Sequence, residues 1–113
     1  MQVEMKLTTA DTAGTNLSAG ETWAKNSRRV RIKGISLVGS TALKDMELDI
    51  YYGTVKVANI MNSRLLVGKD FNRVTDWYYI SSQKYCPAGT RINIEVVTAP
   101  QADAWLCVDI VEV

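Results

Sequence analysis

Residues 28 to 33 read RRVRIK, so Arg29, Arg31 and Lys33 alternate with the apolar Val30 and Ile32. Successive side chains of a strand point to opposite faces, and this spacing lines the three cations up on one face. With Lys25 and Arg28 they make five of the 13 basic residues, gathered within nine positions. A row of this kind can contact phosphates, lie solvated, or meet acids on another strand or another subunit. The stretch DMELD supplies the opposite sign at the same spacing, with Asp45, Glu47 and Asp49 separated by Met46 and Leu48. Matching spacing favours pairing of the two rows, across neighbouring strands or a subunit boundary, over nucleic acid. A formal net charge of +1 points the same way. Alternate positions on a flat strand do not wrap a hard cation, so the acidic row is not read as a calcium site.

The aromatic residues are the next chemical resource. Trp23, Trp77, Tyr79 and Trp105, with Tyr51, Tyr52, Tyr78 and Tyr85, serve either as core and interface bulk or as a platform that stacks on sugar rings. Core or interface is the favoured reading. Histidine is absent from the sequence, as are CxxC pairs. That removes Ser-His and Cys-His nucleophiles and the usual zinc sites. P-loop, GxGxxG and GxSxG motifs are absent as well. The chain is therefore read as non-enzymatic and without a cofactor or metal. Cys86 and Cys107 are read as free buried thiols rather than a disulfide.

The elements that must carry these residues follow a period of two, the signature of strands. Val3, Met5 and Leu7 alternate with Gln2, Glu4 and Lys6. Residues 8 to 21, TTADTAGTNLSAGE, read as a long loop or arm (about 8–27 in all), either functional or extended along a partner. Short extended structure is expected around Trp23. From Arg28 to Val38 the apolar phase slips at Gly34, which predicts a β-bulge with glycine as the extra residue. Met46, Leu48, Ile50 and Tyr52 form the inward row of the next strand. Gly53-Thr54 then reads as a two-residue type II′ turn, pairing Tyr52 with Val55, Ile50 with Val57 and Met46 with Met61. That register leaves Asn59 against Leu48.

Residues 62 to 75 are irregular in pattern, with Leu65, Leu66, Val67 and Phe71 placed to form a short strand. DWYYIS, at 76 to 81, reads as an aromatic strand, and CPAG as a type I turn. The end of the chain reads as a second hairpin, with Val96 against Leu106, Ile94 against Val108 and Ile92 against Ile110. Its last strand is apolar on both faces, as expected of a central or covered strand.

The 113 residues, 47% hydrophobic and 22% charged, fit one globular domain over residues 1–113. Without an amphipathic helix, the expected fold is all-β, an antiparallel sandwich of about eight strands. Neither a signal peptide nor a membrane span is expected. The stretches RVRIKGISLVG, DMELDIYYGTVKV, RINIEVV and AWLCVDIVEV resemble the strands of small single jelly-roll structural proteins of virus and phage particles, among them capsid, cement and decoration proteins. The resemblance implies a jelly-roll-like fold and a non-catalytic virion protein, synthesised in a host cytoplasm, that forms a homo-oligomer or binds viral capsid proteins. The contact residues expected are Trp23, Arg29, Arg31, Lys33, Asp45, Glu47 and Asp49, with Trp77, Tyr79 and Trp105 as aromatic interface candidates. A carbohydrate-binding sandwich is the alternative, and a nucleic-acid-binding sandwich using residues 25 to 33 comes after it.

Overall fold

A computed structural model describes residues 1–39, 46–61, 67–68, 77–80 and 84–113. The period-two segments fold as strands: β1 (Gln2–Leu7), β2 (Val30–Gly39), β3 (Glu47–Tyr52), β4 (Val55–Met61), β5 (Val67–Gly68), β6 (Tyr78–Tyr79), β7 (Ile92–Thr98) and β8 (Ala104–Glu112). Two antiparallel three-stranded sheets organise the chain. In one, β8 lies between β1 and β2; in the other, β3 lies between β4 and β7. The two-residue strands β5 (parallel) and β6 (antiparallel) add to β2. The helical element among the described residues is one 3-10 turn, Thr22–Ala24, where the sequence predicted extended chain around Trp23. Of the apolar group at 65 to 71, Val67 is in β5 and the others lie outside the described residues. Of the expected aromatic strand, Tyr78–Tyr79 form β6, Trp77 and Ile80 flank it, and Asp76 and Ser81 lie outside the described residues.

Outside β4, the inward rows are those the alternation marks. Leu7, Ile32, Leu37, Leu48, Ile50, Ile94 and Leu106 are fully buried, and residues of both sheets join one core cluster. Each such side chain contributes roughly 1.5–3 kcal/mol on leaving water. The phase slip in β2 is a bulge, since Ile32 faces Ile110 and Gly34 faces Asp109. The extra residue is thus Lys33, not Gly34. Without it Ile35 and Leu37 would turn to the opposite face, and the inward row would break.

Three registers differ from expectation. The closing hairpin does not form, because β7 pairs with β3 and β8 pairs with β1 and β2. The apolar rows of β7 and β8 match because both enter the same core from different sheets, and periodicity does not distinguish neighbours within a sheet from opposite walls of a core. In the β3–β4 hairpin, Tyr52 does face Val55, but a shift between Ile50 and Tyr51 leaves Val57 unopposed. Beyond it Ile60 faces Leu48 and Asn59 faces Asp49. The bulge buries Ile60 and lets the Asn59 amide donate to Asp49 at 2.8 Å, removing the mismatch of Asn59 against Leu48. At the third site, the Thr90 N–H donates to the Pro87 carbonyl at 3.0 Å and Gly89 has φ +79°. The turn is therefore PAGT with glycine third, where a type II turn needs positive φ, rather than CPAG.

The loop after β1 is laid along the chain's own β7. Gly14 N–H donates to Val96 O, Val96 N–H to Thr15 O and Leu17 N–H to Ile94 O, each at 2.8 Å. The buried Ser18 hydroxyl donates to Ile92 O at 2.7 Å, and the Asn16 amide donates to the Asn93 side chain at 2.9 Å. Arg91 clamps the end of this strap, donating to Ser18 O at 2.6 Å and Glu21 O at 3.2 Å. The edge of β7 is thereby closed.

Candidate interaction surface

The basic row stands on the outward side of β2. Arg31, between buried Val30 and Ile32, is half-buried opposite Val111 of β8. Lys33 is exposed at the bulge, and its carbonyl accepts the Ile80 N–H at 3.0 Å. Arg29, just before the strand, is exposed with its guanidinium 5.0 Å from the centre of the Tyr85 ring, a cation–π contact. Arg28 meets Glu112 at 3.6 Å, a solvent-exposed pair of little energetic consequence.

The acidic row stands on the outward side of β3, in the other sheet. Glu47 lies between Met61 and Thr98, and Asp49 between Asn59 and Glu95. Asp45 falls outside the described residues. Lys56 of β4 reaches Asp49 at 3.0 Å, and this hydrogen bond raises the lysine's pKa. The rows are therefore not on neighbouring strands. Buried residues of both sheets share one core, and the described members of the two rows, Arg31 and Lys33 against Glu47 and Asp49, stand on strands of different sheets. Sequence reasoning missed two members of the acidic face. Glu95 alternates with inward Ile94 and Val96, which was legible, but its position beside Asp49 depends on the β3–β7 pairing. Lys56 lies opposite Tyr51 in the expected and the observed register alike, and from there it reaches Asp49.

The aromatic candidates divide. Trp23 is half-buried and packs on the core cluster from its 3-10 turn. Trp77 is half-buried. Tyr79 is 61% exposed beside Gly34, and Trp105 is 45% exposed on the central strand of its sheet, between Lys6 and Val38. The sheet bearing Arg31 and Lys33 thus also presents two large exposed rings. Tyr85, 43% exposed, lines an open groove of about 920 Å³ with Val55, Pro87 and the Gly53-Thr54 turn.

The thiols are poor nucleophiles. Cys86 and Cys107 are free and buried. Burial pushes Cys107 from 9.0 up to about 11, with Glu4 on the adjacent strand adding to the shift. Burial also raises Cys86, whose sulfur donates to Thr90 O at 3.2 Å. Burial thus keeps both sulfurs in the less nucleophilic thiol form. Among the described residues no group of acids and cysteines gathers as a metal site. Comparisons of the chain with known protein families, with curated proteins and with solved structures found no match.

Proposed function

We propose that this chain is a non-catalytic structural protein of a virus or phage particle, of the capsid, cement or decoration kind, acting by binding copies of itself or a capsid lattice. The observation that carries the reading is that Arg31 and Lys33 stand on β2 of one sheet and Glu47 and Asp49 on the outward side of β3 in the other. Rows so placed can meet between copies. The Arg31 face of one molecule would then stack on the Glu47 face of the next. Such a contact is head-to-tail, and head-to-tail contacts close into rings or extend into lattices and tubes. Tyr79, beside Lys33, and Trp105, toward the other end of the same sheet, would supply apolar burial, while the charges steer and orient the approach.

The chain path supports the finer reading of a jelly-roll-like sandwich of about eight strands, β5 and β6 included. β2 pairs with β8 in one sheet and β3 with β7 in the other, both antiparallel. Two strand pairs are thus nested along the chain, the winding of a rolled-up hairpin. No membrane-crossing helix competes with this reading among the described residues.

The test is charge reversal. Arg31→Glu weakens assembly, and adding Glu47→Lys partly restores it by re-creating the pair in the opposite sense. Unchanged assembly in Arg31→Glu would remove the row from the contact. The carbohydrate-binding reading keeps one observation in its favour, the 61% exposure of the Tyr79 ring. A glycan array without hits would dismiss it.

A further inference from the structure

The two sheets have four lateral edges, and three of them are closed or interrupted. The strap at residues 14–17 covers β7, β5 and β6 add to β2, and β4 is bent by its bulge at Val57. The remaining edge is β1, which runs against β8 from Gln2 to Leu7 with no register shift. It contains no proline and no glycine. Among the described residues no strand or loop bonds to its outer side. A straight, unpaired edge is a template for another strand.

The hydrogen-bond phase of that edge can be read from its first residue. Met1 exchanges both backbone bonds with Ile110, at 2.7 and 2.8 Å. Antiparallel pairs alternate between bonded and non-bonded. Val3, Met5 and Leu7 therefore bond inward to β8, while Gln2, Glu4 and Lys6 direct their N–H and C=O groups outward. The outward-bonding residues also carry the exposed charges, Glu4 and Lys6.

We propose that β1 pairs antiparallel with β1 of a second copy about a two-fold axis at Met5, with Glu4 opposite Lys6 of the second copy and Lys6 opposite its Glu4. This register brings outward-bonding residues together and sets an opposite-charge pair on each side of the axis. On the inner face Met5 meets Met5, and Val3 meets Leu7. A shift of two residues one way sets Glu4 against Glu4, and the other way Lys6 against Lys6. A shift of one opposes a residue with outward groups to a residue without them. The contact ends at Thr8, whose N–H is already donated to the Asp11 carboxylate at 2.7 Å. The arrangement is self-complementary, as a two-fold interface requires, and joins the two β1-containing sheets into one continuous sheet.

This inference deepens the self-association proposed above but uses a different surface, and the two are separable. Sedimentation equilibrium is run on the wild type, Lys6→Glu, Glu4→Lys, their equimolar mixture, and Arg31→Glu with and without Lys6→Glu. Both β1 residues are exposed, so the variants keep the core, which circular dichroism checks. Each single β1 reversal turns both symmetry-related pairs repulsive and weakens dimerisation on the order of tenfold. The mixture restores it, because the wholly acidic edge of the Lys6→Glu variant complements the wholly basic edge of the Glu4→Lys variant. Arg31→Glu retains the β1 dimer, and the Arg31→Glu/Lys6→Glu double variant dimerises on the order of tenfold more weakly than Arg31→Glu. Dimers of Lys6→Glu as tight as wild type, or a mixture no tighter than its components, would overturn the β1 pairing while leaving the head-to-tail contact to its own test.

Discussion

Replacing Tyr52 with phenylalanine removes one oxygen atom and tests how the two sheets are tied. Tyr52 ends β3 with its ring in the core, and its hydroxyl accepts the Ile32 N–H of β2 at 2.8 Å in a buried setting. Burial is the main reason that its phenol pKa is raised, with the Ile32 bond acting against it. Ile32 faces Ile110, whose backbone groups are both bonded to Met1, so the Ile32 N–H points to the outer edge of β2, where the Tyr52 hydroxyl is its acceptor. Phenylalanine keeps the packing but strands a buried donor, which costs about 1–3 kcal/mol. With a urea slope of about 2 kcal/mol/M, a loss of about 2 kcal/mol moves the midpoint by about 1 M. The assay is equilibrium urea unfolding followed by tryptophan fluorescence, with hydrogen exchange at Ile32 as the local readout. A midpoint displaced by less than about 0.2 M at unchanged slope, about 0.4 kcal/mol and below the cost of a stranded buried donor, would refute the tie.

Other outcomes follow from single contacts. Gly53→Ala forces a side chain into φ +66° and places a Cβ 3.0 Å from Thr90 Cγ2, so thermal unfolding should show a loss of about 1–2 kcal/mol; an unchanged melting temperature would contradict the turn geometry. Asn16→Ala removes the amide bond to Asn93 and the acceptor for the Ser18 N–H, so the strap loosens and the Val96 amide exchanges faster; unchanged protection would show that the backbone bonds alone hold it. Alkaline pH should destabilise the fold through Cys107. Its pKa rises from 9.0 unfolded to about 11 folded, so the folded state holds the proton more tightly. That contribution is complete below pH 9 and falls by about 1.4 kcal/mol per pH unit between the two values. Cys107→Ala should flatten this slope, and a variant with the wild-type slope would assign the loss elsewhere.

The inward faces of β1, β2, β3, β7 and β8 were legible in the sequence, because alternation reports burial directly, but that of β4 was not: Ile60 is buried where Met61 was expected, and Met61 is exposed. Met46, Leu48, Ile50 and Tyr52 are an example, and the slip near Gly34 announced a real bulge. Partners were less legible. Val96, Ile94 and Ile92 fit Leu106, Val108 and Ile110 in one register, yet the two rows belong to different sheets. Only the requirement that β8 be flanked by β1 and β2 separates the alternatives, and that is a property of the whole fold. The second bulge, at Val57, left a trace in the mismatch of Asn59 with Leu48, which marked a phase error without locating it. For the surface, the sequence defined both charged rows but not their relation. Their separation onto different sheets arises from the crossing between β2 and β3, to which periodicity is blind. Glu95 joined the acidic face by the same route.

The central claim is that oppositely charged outward faces join copies of this chain. The most direct measurement is its mass in solution, by light scattering after size exclusion, at low and at high salt. The account predicts species larger than the 12.6 kDa chain at low salt, shifting toward smaller species as salt screens the charged faces. A 12.6 kDa monomer at both salts would contradict it.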